Sequence, residues 1–187
     1  QEGLKGGVKY WDGQFDDARL ALALARTAAS LGGLVVNYCP ARALVHEGGK
    51  VAGFVCEDAD SGQQFTVRAR TVVNATGVWV DTLRQMDGEA IGRPVKPIVA
   101  PSQGVHIVVD REFLPSDHAL MVPKTADGRV LFAVPWLGKL ILGTTDSPRQ
   151  DIVREPQPFS EEVRFILEES GRYLTRAPRE ADIRSIW

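Results

Sequence analysis

Three short stretches carry residue types that could do chemistry. In "VVNATGVWVDTL", residues 72–83, an apolar run ends in Ala75-Thr76-Gly77 and turns into a helical pattern carrying Trp79 and Leu83. A residue without Cβ lets backbone come close to a bound group, and a helix N-terminus behind it favours an electron-rich ligand atom. The turn reads either as a plain strand-to-helix connection or as the seat of a bound cofactor. In "SQGVHIVVD", residues 102–110, His106 lies in an apolar strand. Alone it reads as a satisfied core histidine, although an imidazole titrates near neutrality and suits proton transfer. "GTTD", residues 143–146, closes a strand with two hydroxyls and a carboxylate. Its plain reading is a turn in which Thr145 or Asp146 caps the following loop.

These residues must be held by elements that the pattern also predicts. Residues 7–11 read as a short strand, and Asp16 or Asp17 caps a helix to about Leu31 with apolar positions at 20, 22, 24, 28 and 31. A buried strand follows at 34–38, broken by Pro40, with a second extended piece reaching His46. Gly48-Gly49 and the loop "ADSGQ" turn "KVAGFVCED" and "QFTVRAR" into a hairpin or meander. An apolar strand from Arg70 climbs to the Ala75-Thr76-Gly77 turn, and a helix runs from about Gly77 to Met86. Beyond about Gly92 the chain reads as antiparallel sheet in "VKPIVAPSQGVHIVVD", "HALMVP", "VLFAVPW" and "LILGTTD". A helix near 160–174 follows, with Ser160 as N-cap and Glu161 and Glu162 as its acidic first turn, and "DIRSIW" closes as a strand. Two architectures are therefore expected: an interrupted α/β part with a meander to about residue 89, then an α+β part.

Composition narrows the function classes. The 22 basic and 24 acidic residues of the 187 form no block of one sign, so the count carries no nucleic-acid or membrane-surface footprint, and nucleic acid is not expected as a partner. Cys39 and Cys56 lie in apolar runs and read as reduced core thiols, with a reducing, cytoplasmic compartment and no metal site. No run approaches the roughly 18 apolar residues of a membrane span. The opening "QEGLKGGVKYWDG" lacks an initiator methionine and reads like a strand entered partway, so a middle piece of a longer protein is expected.

The blocks "DDARLALALARTAASLGG", "VVNATGVWVDTL", "SQGVHIVV", "VLFAVPWLGKLILGTTD" and "DIRSIW" stand in an order and spacing that resembles the FAD-dependent glycerol-3-phosphate dehydrogenases, members of the D-amino-acid oxidase-like (glutathione-reductase-2 type) flavoproteins. The resemblance covers nearly the whole chain. It implies an incomplete FAD-binding α/β part over 12–89, with strands 34–38 and 70–75 in one parallel sheet, and a substrate or cap domain from 1–11 and 90–187. The family's GxGxxG phosphate loop does not occur in these residues. The implied cofactor-binding set is Ala41, Ala75, Thr76, Gly77 and Trp79. His106 is implied as the catalytic base facing flavin and substrate, and Thr144 and Thr145 as substrate-lining residues. Trp79, Trp136 and Trp11 by themselves read as core or junction aromatics.

The implied reaction is hydride transfer from C2 of sn-glycerol 3-phosphate to FAD, giving dihydroxyacetone phosphate, with electrons passed to a quinone and the parent protein peripheral on the membrane. Two other readings are a related FAD-dependent amine or 2-hydroxy-acid oxidoreductase and a non-catalytic binding module. Strand edges left without partners are expected to favour a homo-oligomer. Replacing Gly77 by Val in the parent protein is expected to lower FAD retention while leaving the later sheet folded, because a branched side chain intrudes where backbone and cofactor meet, whereas this chain alone is not expected to hold FAD tightly. Flavin absorbance per protein after gel filtration measures it, and a wild-type ratio would leave the glycine to the turn alone.

Overall fold

In the computed structural model, residues 5–125 and 128–187 are described, and the chain divides into two units, 1–97 and 98–187. In the first unit the expected helix forms as α1 (Asp17–Ser30). Asp16 caps it, its Oδ1 accepting the Arg19 N–H at 2.9 Å. The apolar positions of α1 nevertheless stay uncovered: none of its residues is buried, and Leu20, Leu22 and Leu24 are exposed.

The meander forms as β1 (Ala41–Glu47), β2 (Lys50–Glu57) and β3 (Gln64–Arg68), a three-stranded antiparallel sheet in that order. Ala41 pairs with Cys56 and Glu47 with Lys50, so the Gly48-Gly49 turn fixes the register. Helix α2 (Val80–Ala90) follows one short 3₁₀ turn at Gly77–Trp79. His46 of β1 and Asp87 of α2 meet at 2.8 Å and tie the helix to the sheet.

Three expected strands, 7–11, 34–38 and 70–75, are absent, and no parallel pair exists among the described residues. The reason is the ladder. A strand needs a ladder for its N–H and C=O groups, and no described segment forms one with these stretches. Pairing starts only where β2 offers an edge: Pro40 O accepts Glu57 N–H at 3.1 Å, and Tyr38 O accepts Ala59 N–H at 2.9 Å. Apolar residues of these segments such as Leu34 and Val73 lie open, at 92% and 80% exposure, against the expected buried strands.

The second unit is built on β4 (Ser102–Gln103), β5 (His106–Asp110), β6 (Leu120–Val122), β7 (Leu131–Trp136), β8 (Lys139–Gly143), β9 (Ser147–Pro148) and β10 (Ser185–Ile186). Its main sheet has the order β10-β5-β8-β7-β6, all antiparallel, and β4 pairs with β9 beside it. Alternation places Ile107 and Val109 of β5, Leu140 and Leu142 of β8, and Ala133 of β7 in one core. Ile166 and Leu167 of α3 (Ser160–Gly171) complete it with Phe113 and Leu174. Burying each such Leu or Ile contributes about 1.5–3 kcal/mol. The cap of α3 differs from expectation: the N-cap is Phe159, and Ser160 is the first helical residue.

Leu142, fully buried in the core, is expected to cost about 2–5 kcal/mol when replaced by Ala. Leu24→Ala on the uncovered face of α1 is expected to change stability by no more than about 0.5 kcal/mol. Urea denaturation of the two variants measures the contrast.

Candidate functional site

His106 opens β5 opposite Gly143, the last residue of β8. The glycine is required there, because a Cβ at Gly143 would overlap the imidazole ring. On its other neighbour the ring stacks against Trp187, with centroids 5.5 Å apart and planes 24° from parallel. The backbone is fixed as well: His106 N–H donates to Trp187 O at 2.8 Å, and Trp187 N–H donates back at 3.1 Å. The side chain is half-buried, and burial holds its pKa below the ordinary 6.5. Neither ring nitrogen hydrogen-bonds to a described residue. A neutral imidazole with an open nitrogen is a proton acceptor ready for use.

The two threonines beside it differ. Thr144 is half-buried, and its hydroxyl donates to Thr145 O at 3.0 Å. Thr145 is 2% exposed, and its Oγ1 accepts Val105 N–H at 3.0 Å while donating to Glu162 Oε1 at 3.0 Å. Both hydroxyl functions of Thr145 are thus committed inside the fold.

Glu162 collects these bonds. Its buried carboxylate also accepts Ser147 Oγ–H at 2.7 Å, Gln103 Nε2–H at 2.9 Å and Phe159 N–H at 3.0 Å. The last of these is half of a capping box reaching back from N3. Burial opposes ionisation of Glu162, but the donors from Ser147, Phe159, Thr145 and Gln103 outweigh it and hold the pKa below the ordinary 4.5. Gln103 in turn accepts from Arg149, which forms a 2.5 Å ion pair with Asp151 and lies 4.9 Å over the Phe159 ring.

In the first unit, the turn at 75–79 is braced from below. Asn74 Nδ2 donates to Val80 O at 2.9 Å, and Thr76 Oγ1 donates to Asn74 Oδ1 at 2.8 Å. Above it the surface is open. Gly77 has φ +57°, a left-handed conformation that glycine adopts without strain, and no heavy atom lies within 4 Å of where a Cβ would stand. Ala75 is exposed, Trp79 is 39% exposed, and the neighbouring Val73 and Val78 are exposed as well. Ala41, the remaining residue of that set, is exposed at the start of β1. A cleft beneath the turn, lined by Leu44, Val51, Val72, Asn74, Leu83, Arg84 and Asp87, measures about 150 Å³. That is smaller than the roughly 300–1,000 Å³ of small-molecule pockets.

The profile of the family described as FAD dependent oxidoreductase matches residues 1–187. The chain belongs to that family. Among its relatives, the mitochondrial glycerol-3-phosphate dehydrogenases of Arabidopsis thaliana and Mus musculus are 40% and 42% identical over 98% of this chain. The chain spans 29% and 26% of their lengths. The glycerol-3-phosphate dehydrogenase of Bacillus halodurans, solved with FAD, superposes with a TM-score of 0.78 at 32% identity over 92% of this chain and 34% of its own. L-proline dehydrogenase from P. horikoshii shares the fold, with a TM-score of 0.65 at 16% identity over 91% of this chain and 42% of its own.

The residues at 75–77 fit the family's FAD: bare backbone, a methyl and open space above a braced turn are what a flat, wide group needs. Of the aromatics read as core or junction residues, Trp11 is 87% exposed, with Lys9 Nζ 4.9 Å from its ring centroid. Cys39 and Cys56 are both free, and only Cys56 is buried. No helix among the described residues is long and apolar enough to cross a membrane.

Glu162, Gln103 and Trp187 were not among the residues that motif reading singled out for chemistry. A signal for Gln103 exists. It falls on the buried phase shared by Val105, Ile107 and Val109, and a polar residue in that phase demands a buried partner. Nothing in the spacing shows that the partner is Glu162, 59 residues away.

The pH dependence of stability follows from the carboxylates. Because folding lowers the Glu162 pKa, its contribution is complete above the ordinary 4.5 and is lost as pH falls through the lower native value. Asp110, bonded by Arg184 at 2.6 Å and Lys139 at 2.7 Å, is lowered to about 2 and so keeps its contacts further into acid. The melting temperature of the second unit is expected to fall as pH drops from about 5 towards 3, and Glu162→Ala is expected to flatten that limb. Calorimetry across this range measures it.

Proposed function

We propose that the protein carrying this chain oxidises sn-glycerol 3-phosphate to dihydroxyacetone phosphate and passes the electrons on to a quinone. The observation that carries the proposal is the half-buried His106 ring with its nitrogens unengaged, beside the Gly143–Thr144 turn. FAD, when bound, supplies the two-electron acceptor for the hydride that leaves C2. His106 takes the proton from the C2 hydroxyl, and the neutral form that burial favours is the form that can accept it. Thr144 bonds a substrate oxygen through its half-buried hydroxyl. Thr145 lines the same turn and holds Thr144 in place. Ala41, Ala75, Thr76, Gly77 and Trp79 hold FAD by backbone approach and apolar contact.

In this proposal, residues 12–89 belong to the FAD-binding part, and 1–11 with 90–187 form the part that covers the substrate. The names of the relatives supply the substrate, and the family supplies the cofactor. Peripheral attachment to a membrane from the cytoplasmic side, and association of copies through exposed strand edges such as β1 and β3, complete the proposal.

His106→Ala in the full-length, FAD-loaded protein is expected to lower kcat by about 10²–10⁴-fold while flavin content stays at the wild-type level. Steady-state kinetics with glycerol 3-phosphate and an artificial quinone checks it. An unchanged kcat would return His106 to a packing role.

A further inference from the structure

We infer that Glu162 is a positioning residue for His106 and Thr144, acting through Thr145; the inference rests on the reading of His106 as the base. Glu162 Oε1 accepts the Thr145 hydroxyl at 3.0 Å, and that hydroxyl accepts Val105 N–H at 3.0 Å. Val105 directly precedes His106, and Thr144 directly precedes Thr145. One carboxylate oxygen therefore fixes, through a single side chain, the backbone on both sides of the gap where the imidazole meets Gly143. The second oxygen anchors the carboxylate itself to Gln103 and to the amide of Phe159, at 2.9 and 3.0 Å. The arrangement needs an anion. An ionised carboxylate is acceptor-only, with about four lone-pair sites, and four donors converge on it. An amide in its place offers one acceptor oxygen and turns an NH₂ towards donors.

Ser147 separates positioning from mere stability. It bonds the same Oε1 at 2.7 Å, yet it reaches the carboxylate from β9 and not from the strand that carries His106. Loss of its hydroxyl removes a bond to Glu162 without cutting the path through Thr145.

The test uses the full-length, FAD-loaded protein with Glu162→Gln, Thr145→Val and Ser147→Ala. Glu162→Gln and Thr145→Val are expected to lower kcat by about 10–100-fold, the effect of misplacing a reacting group by about an ångström, with KM for glycerol 3-phosphate little changed. Ser147→Ala is expected to lose stability while keeping wild-type kcat. ¹⁵N-histidine spectra of the three variants, without substrate, are expected to show the His106 ring resonances moved in the first two and unmoved in the third. Thr145→Val removes one hydroxyl and carries the test if Glu162→Gln fails to fold. Wild-type kcat in Thr145→Val, in a protein that His106→Ala disables, would overturn the positioning role. If His106→Ala itself keeps full activity, the reading of His106 as base fails, and unmoved ring resonances in Thr145→Val would then overturn the positioning role separately.

Discussion

A buried carboxylate with four donors is the constraint on which the second unit depends. Taking the charge of Glu162 out of water costs several kcal/mol, and that cost is offset only if its oxygens are fully engaged. The donors come from four places: Gln103 on β4, Thr145 after β8, Ser147 on β9 and the amide of Phe159 before α3. Each donor would itself cost about 1–3 kcal/mol if left buried and unpaired. Leaving one of these donors buried and unpaired is therefore costly. Once formed, the network fixes the first turn of α3 against the end of the sheet and brings Ile166 and Leu167 into the core shared with Leu140 and Leu142. The open end of the pair β5 and β8, where His106 faces Gly143, is the end the network ties.

Much of this architecture is legible in the sequence where a local rule decides. The Asp16 cap, the Gly48-Gly49 turn and the alternation of Ile107 with Val109 or Leu140 with Leu142 each act over a few residues, and each produces the expected element. Residues 34–38 and 70–75 show the limit. Their composition suits a strand, but a strand is a property of two segments, and none of the described residues forms a ladder with them. The site divides the same way. His106 is readable as a lone imidazole in an apolar strand, whereas its stacking on Trp187 and its tie through Thr145 to Glu162 join positions far apart in the chain.

The two units use apolar surface differently. The second encloses a core of ten buried residues around Ile107 and Leu142. In the first, Gly53, Cys56 and Gly88 alone are buried among the described residues, while α1, Leu34, Val36 and Val73 stay open. Apolar surface of this kind is favourably covered by another apolar surface. The open turn at 75–77 lies in this first unit. Its bracing by Asn74 is internal and needs no further cover, so the turn keeps its shape with its upper face bare.

The half-burial of His106 matches the task proposed for it. A fully exposed imidazole would titrate near 6.5 and spend part of its time protonated at neutral pH, unable to take a second proton. A fully buried one would be neutral but shut away from any substrate. Packing one side of the ring on Gly143 and stacking it on Trp187 removes enough water to lower the pKa while leaving the nitrogens unengaged. A larger residue at 143 would push the ring out of this position. The glycine that looks like a turn residue in "GTTD" therefore sets the environment of the imidazole.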